Sequence, residues 1–208
     1  MRSAPLSYER KLWREGYRFV AGVDEVGCGC WAGEVVAGAV ILSPTLPFPA
    51  AQDSKKLSPK QRRSLAEEIK IKALGWAIGR ASLSEIDILN IRQAAFLAMR
   101  RALEKLNPAS EWVLADGFSI PGLTIPCSRI VKGDQKARTI AAASILAKVT
   151  RDEEMEELDK IYPEYGFGKH KGYGTAFHAA ALQKHGPCAL HRQSFEPVRA
   201  YVQKRSGI

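Results

Sequence analysis

Acidic residues are in deficit in this chain, cysteines are few, and long apolar runs are missing. Twenty-two Asp and Glu stand against 31 Lys and Arg in 208 residues, a formal net charge of +9. That balance favours polyanionic partners such as nucleic acid, with general solubility as the plainer reading. The four cysteines, Cys28, Cys30, Cys127 and Cys188, have neither the Cys-x-x-Cys nor the Cys/His spacing of a structural zinc site. Cys28 and Cys30 are two apart in a glycine-rich turn, where a disulfide would be strained, so the thiols are read as reduced and packed. No apolar run approaches the length that spans a bilayer, and Met1 to Phe19 mixes charges with aromatics and lacks a signal-peptide core. A cytoplasmic protein with no membrane partner is expected. Internal repeats and low-complexity tracts are also missing, which excludes a solenoid.

What remains is ordinary globular sequence. With 46% hydrophobic residues the chain can bury a core unaided. Its length fits one domain, 1–208, with about 163–208 as a C-terminal helical extension. Tyr17–Val23, Val35–Leu42 and Gly75–Ala81 read as strands, the first two separated by turn residues, which suggests an antiparallel meander. Ser43 to Pro49 is proline-rich and must be a loop. Pro59 opens a basic helix to about Lys72, with Ser58 as its N-cap. A second helix is expected from about Leu83 to Leu106, its apolar positions including Ile88, Ile91, Ala95 and Leu103, ended by Pro108. Trp112–Ala115 and Ser128–Val131 are short strands, and Thr139–Ile161 is a long helix. The predicted fold class is α/β, a mixed five-stranded sheet flanked by helices.

Four acids sit at the ends of these strands. Asp24 and Glu25 close the first, Asp116 closes the fourth, and Asp134 follows the fifth, so all four could converge at one edge of the sheet. A carboxylate at a strand end is usually a turn former, but four together point to chemistry. Carboxylate oxygens are the hard ligands that Mg²⁺ and Mn²⁺ prefer, and four of them can hold two ions. Such a pair could activate water on one side of a phosphodiester and stabilise the departing oxygen on the other. Adjacent strand residues point to opposite faces, so the strand must twist or end at Asp24 and Glu25, or Glu25 must contribute its main-chain carbonyl. Gly27 and Gly29 make such a departure cheap.

Six segments carry a family resemblance. Asp24-Glu25-Val26-Gly27, Asp53-Ser54-Lys55-Lys56-Leu57, Ala115-Asp116-Gly117, Lys132-Gly133-Asp134, the run from Ala142 to Asp152, and His170-Lys171-Gly172-Tyr173-Gly174-Thr175 resemble, in order and spacing, the type 2 ribonuclease H family, ribonuclease HII in particular. The resemblance runs from about Phe19 to Val198 and implies a ribonuclease H-like fold. It also implies Asp24, Glu25, Asp116 and Asp134 as metal-binding catalytic acids, and hydrolysis that leaves a 3′-hydroxyl and a 5′-phosphate. The implied substrates are RNA/DNA hybrids and duplex DNA containing single ribonucleotides, cut on the 5′ side of the ribonucleotide.

One departure from the family is clear. Where the family reads Gly-Arg-Gly followed by Pro, this chain has Gly27-Cys28-Gly29 followed by Cys30, and Glu34 stands where proline is common. In the family the main chain of this loop recognises the 2′-hydroxyl, so ribose recognition is expected to remain while a cationic contact is lost. By the same resemblance Tyr173 contacts the sugar beyond the scissile phosphate and helps detect an RNA-to-DNA junction. Its flat ring suits a deoxyribose and leaves a 2′-hydroxyl without a partner.

Lys55 and Lys56 are expected on backbone phosphates, with Lys60, Arg62 and Arg63 as a general positive field. Lys132, Lys148, Lys169 and Lys171 are weaker candidates for facing the substrate. Asp152 is expected to pair with Lys or Arg on its own helix, the acidic run from Asp152 to Asp159 to point away from the duplex, and no histidine is assigned a catalytic role. A monomer is expected. Two competing readings are a binding module whose catalysis has lapsed and a junction resolvase-like nuclease acting on DNA.

Overall fold

The computed structural model describes residues 4–45 and 57–206, with side chains described to residue 201. Among these, β1 (Val20–Val26), β2 (Val35–Ile41), β3 (Gly75–Ala81), β4 (Trp112–Asp116) and β5 (Cys127–Ile130) form one sheet in the order β3-β2-β1-β4-β5. The first three strands are the expected antiparallel meander, while β4 and β5 run parallel to β1. Helices cover both faces, as a partly parallel sheet requires. The five strands fall where the sequence predicts them, with shifted ends. β1 starts at Val20 rather than Tyr17 and continues through Asp24 and Glu25 to Val26.

On one face of the sheet, Ala21, Val23, Ala37 and Ala39 pack against Ala94, Ala98, Met99 and Ala102 of helix α4 (Ile91–Glu104). On the other, Val40 and Leu42 pack with Ala66 and Ile69 of α2 (Pro59–Lys72) and with Ala142, Ile145 and Leu146 of α6 (Arg138–Ile161). Fully burying a side chain such as Ile145 or Leu146 contributes about 1.5–3 kcal/mol. α6 lies very close to β1 because Gly22 has no side chain: a Cβ there would fall 2.2 Å from the Thr139 carbonyl carbon. α2 begins as expected, with the Ser58 hydroxyl accepting from the Gln61 amide and Gln61 returning the bond in a capping box.

Two helical segments differ from the sequence reading. The stretch Leu83–Leu106 is two helices, α3 (Leu83–Leu89) and α4, broken at Asn90, whose φ is 72°. With ψ 162° this lies outside the left-handed well and is strained for a residue with a side chain, and that side chain caps α4 by accepting from the Arg92 and Gln93 amides at 3.1 and 3.2 Å. The break rotates Ile88, assigned to the buried face, into solvent. A helix that the sequence did not suggest, α1 (Ser7–Arg14), precedes the sheet. Its Glu9 is completely buried and accepts from both the amide and the hydroxyl of Thr139 at 2.8 and 2.9 Å, which anchors α1 to the start of α6.

After α6 the chain is helical, with α7 (Phe167–His170), α8 (Ala176–His185) and α9 (Glu196–Ser206). Tyr165, Phe167, Leu182 and Val198 share a core with Ala32 and with Met155 of α6. The C-terminal helices therefore pack against the loop that follows β1. A short helix, α5 (Gly133–Lys136), links β5 to α6. None of the helices among the described residues is long and apolar enough to cross a membrane.

Candidate active site

The parallel register pairs Val23 with Ala115, so Asp24 and Asp116 follow one step later at the carboxyl ends of two adjacent strands. Ligand sites in such sheets lie outside this edge. Asp24 is 7% exposed, accepts from the Glu25 amide at 2.9 Å and is hydrogen-bonded by the Ser144 side chain of α6. Glu25, next along the strand, leaves the opposite way, toward Cys28 and the α4 side, where it also borders a pocket with Ile91 and Phe96. β1 does not end between the two acids. Instead one cleft of about 410 Å³ reaches both of them across the strand terminus.

Asp116 and Asp134 join them from the neighbouring connection. Lys132 adopts a left-handed conformation, φ 57°, and turns the chain after β5 so that Gly133 lies against Asp116. The Gly133 amide donates to Asp116 Oδ1 at 2.5 Å, which brings Asp134, itself 5% exposed, into the same cleft. Burial, followed by the charges of Glu25 and Asp116, raises the Asp24 carboxyl well above the usual range, and Asp134 adds to the repulsion. Hard oxygen donors that repel one another are what divalent cations offset, so the donor set fits Mg²⁺ or Mn²⁺. Among the described residues no three acids, histidines or cysteines converge tightly enough to enclose a single ion. The fit is therefore to open sites with one or two carboxylates each, completed by substrate oxygens and water.

The same cleft is lined by Gly27, Cys28, Gly29 and Tyr173, and by Arg62 and Lys148. The two glycines differ in why they are there. Gly27 has φ +98°, and a Cβ on it would fall 2.4 Å from Arg151 Nε, so the fold itself demands glycine. Gly29 has nothing within 4 Å of a Cβ position and leaves open space above the backbone. Cys28 points its thiol at Glu25 Oε1, 3.8 Å away, and burial together with that acid pushes the thiol up to about 12, so it stays neutral.

Two buried arginines hold this loop, and sequence reading gave neither a role. Arg151 donates to the main-chain carbonyls of Ala32, Glu34 and Lys171 at 2.9, 3.0 and 2.7 Å, joining the glycine loop to the segment before Tyr173. Arg192 donates twice to the Gly33 carbonyl, at 3.0 and 2.8 Å, and once to that of Cys28, at 3.2 Å. Burial lowers the Arg192 guanidinium to about 10. Arg151 lies in a segment that resembles the family, a signal that was available. Nothing in the sequence marked Arg192, because a long basic side chain is by default a surface group.

Of the other expected residues, Lys55 and Lys56 lie outside the described residues. Lys148 reaches the cleft, 5.7 Å from the centre of the Tyr173 ring, and pairs with Asp152 at 2.7 Å, the partner expected on its own helix. Arg62 joins the cleft to a neighbouring groove that it shares with Arg63, Lys169 and Lys171. Asp152 and Glu156 line that groove too, paired with Arg62 and Lys171. Within the acidic run, Asp152 and Glu156 brace these basic side chains. A larger groove of about 640 Å³, floored by Leu83, Met155 and Leu158, holds none of the four acids.

The family model described as Ribonuclease HII matches residues 21–198. A curated Ribonuclease HII from Vibrio cholerae serotype O1 is 54% identical over 184 residues, 88% of this chain and 89% of that protein. Among solved structures, ribonuclease H2 from Pyrococcus horikoshii OT3 superposes with a TM-score of 0.78 at 24% identity, covering 91% of this chain and 99% of that one. Bst-RNase HIII in complex with Mn²⁺ superposes with a TM-score of 0.66 at 19% identity, covering 91% of this chain and 71% of that one. These two structural likenesses bear on the fold, and the matched family model and the curated relative bear on descent. The chain belongs to the ribonuclease HII family of type 2 ribonuclease H endonucleases.

Proposed function

We propose that this protein is a divalent-metal-dependent endoribonuclease that cuts the RNA strand of RNA/DNA hybrids and incises duplex DNA on the 5′ side of single embedded ribonucleotides. The observation that supports it best is that Asp24, Glu25, Asp116 and Asp134, from three separate parts of the chain, line one cleft with the glycine loop and Tyr173. The four acids would hold two ions, Mg²⁺ or Mn²⁺. Bound there, the ions supply the Lewis acidity that activates a water and stabilises the departing oxygen. Hydrolysis forms the bond from water oxygen to phosphorus and breaks the one to the 3′ oxygen, leaving a 3′-hydroxyl and a 5′-phosphate.

The remaining groups bind and orient. The open space at Gly29 admits a ribose against the main chain, where peptide groups can recognise a 2′-hydroxyl. Burial and Glu25 keep the Cys28 thiol neutral, so it brings no charge to a phosphate. The half-exposed Tyr173 ring offers a flat face to the sugar beyond the scissile phosphate, one that favours deoxyribose because a 2′-hydroxyl there gains no partner. Lys148, Arg62 and the groove beside them, with Lys55 and Lys56, would follow the phosphate backbone without reading bases. Residues 163–208 work within one functional unit with the rest of the chain, since they carry Tyr173 to the cleft. A cytoplasmic monomer is the simplest state for this role.

Three matched duplexes test the reading: all-DNA, one lone ribonucleotide, and a continuous RNA/DNA hybrid, each with Mg²⁺ or Mn²⁺ and with Asp134→Asn in parallel. Cutting 5′ to the lone ribonucleotide and within the hybrid, absent from DNA and from the variant, is expected. Cutting of all-DNA would favour a resolvase-like nuclease. Binding without turnover in either metal would favour a lapsed enzyme.

A further inference from the structure

Three histidines meet beneath the loop that carries Tyr173. Neighbouring main-chain groups fix the proton position on each. His178 Nδ1 lies 3.0 Å from the Tyr173 carbonyl, which can only accept, so Nδ1 carries the proton and Nε2 is bare. His191 Nε2 is 3.0 Å from that bare nitrogen and must donate to it. His191 Nδ1 is then the acceptor, matched by the Cys188 amide at 3.0 Å, which takes precedence over the Cys188 carbonyl at 3.3 Å. His170 is locked separately. Its Nε2 donates to the Tyr165 carbonyl at 2.7 Å, and its Nδ1 accepts from the Gly172 amide at 3.2 Å. The His170 and His178 rings stack at 4.4 Å. With neutral rings, these contacts assign one proton to each, Nδ1–H on His178 and Nε2–H on His170 and His191.

The rings reach this loop at two points, His178 at the Tyr173 carbonyl and His170 at the Gly172 amide next to it, and the main chain of His170 adds a third. The Tyr173 amide donates to the His170 carbonyl at 2.9 Å, while its own carbonyl accepts from His178 and from the Thr175 amide. We propose that His170, His178 and His191 are positioning residues for Tyr173, a tautomer-locked relay that runs from the Cys188 turn to the peptide groups flanking Tyr173 and sets its ring at the cleft. The assignment rests on the reading of Tyr173 as the sugar-facing residue. Apolar side chains could fill the same volume, but none could donate to one carbonyl while accepting from a second ring or an amide. Burial, which holds His178 and His191 down to about 4 and lowers His170 as well, is consistent with the neutral forms.

Nitrogen-15 NMR of histidine-labelled, full-length wild-type protein at neutral pH tests the relay directly, and needs no variant that could fail to fold. The expected tautomers are Nδ1–H for His178 and Nε2–H for His170 and His191. His178→Ala removes the donor to the Tyr173 carbonyl, so the local opening that frees the Tyr173 amide from the His170 carbonyl should cost less, and that amide should exchange about tenfold faster. The same variant should lose the preference for a lone ribonucleotide over a hybrid to the extent that Tyr173→Ala does, with no further loss in the double variant. His178→Asn places an amide N–H near the Nδ1 position and should restore both. A different tautomer in the wild type, unchanged exchange in His178→Ala, or no rescue by Asn would overturn the relay. If Tyr173→Ala leaves the preference intact, the reading of Tyr173 fails, and the tautomers and exchange rates alone decide the relay.

Discussion

Replacing Arg192 by lysine isolates what one buried guanidinium does for the glycine loop. The arginine is fully buried and makes three hydrogen bonds to two carbonyls, those of Gly33 and Cys28. Lysine keeps the charge but not the planar fork, so it can serve one carbonyl well and leaves the other unsatisfied. An unsatisfied buried carbonyl costs about 1–3 kcal/mol. For a chain of this size each kcal/mol lowers the melting temperature by about 2–4 °C, so Arg192→Lys should melt roughly 2–12 °C below wild type. Because the freed carbonyl belongs to the loop that lines the cleft, kcat/KM on a lone-ribonucleotide duplex should also fall well below the melting point. A melting temperature within about 1 °C of wild type would refute the hydrogen-bond reasoning. A lowered melting temperature with unchanged kcat/KM would show that Arg192 supports the fold and not the loop's placement.

Gly27→Ala should be destabilised by about 1 kcal/mol or more, since it meets both a positive φ and Arg151. Gly29→Ala should melt like wild type yet cleave ribonucleotide-containing duplex more slowly, and equal cleavage would mean that the open space is not used. Cys28→Arg should strengthen duplex binding and steepen its salt dependence by about one counterion, measured as the slope of log affinity against log salt; no change in either would show that the loop makes no phosphate contact. Urea unfolding should show stability falling as pH drops from about 6.5 toward 4. His178 and His191 have folded values near 4 against 6.5 for the free group, so in that window the unfolded chain binds more protons. Their contribution is complete above the unfolded value and is lost on the acid side, up to about 3 kcal/mol each. A His178→Asn variant with the same acid dependence as wild type would contradict that assignment.

The sheet was legible because its strands are short apolar runs bounded by turn residues, and the acids stand out in the sequence because Asp116 closes one such run, Asp24 and Glu25 follow another and Asp134 lies just past a third. What escaped depends on contacts between distant segments. Glu9 reads as a surface acid until Thr139 arrives to donate to it. The apolar spacing carries on past Asn90 with no interruption, so only the backbone reveals the break that exposes Ile88. Arg192 lies 159 residues from the Gly33 carbonyl it serves, a separation that local pattern cannot bridge. The histidines have no catalytic spacing in the sequence, and nothing local marks them as partners of Tyr173. Their geometry with Tyr173 depends on a fold that closes the C-terminal helices over the loop after β1.

Single-turnover cleavage of a lone-ribonucleotide duplex across a Mn²⁺ titration, by wild type and by Asp24→Asn, addresses the acid cluster most directly. Product ending in a 3′-hydroxyl 5′ to the ribonucleotide should appear only with metal and saturate with it, while Asp24→Asn binds the duplex and yields no product at any Mn²⁺ concentration. Cleavage in excess chelator, or an Asp24→Asn rate equal to wild type, would contradict the account.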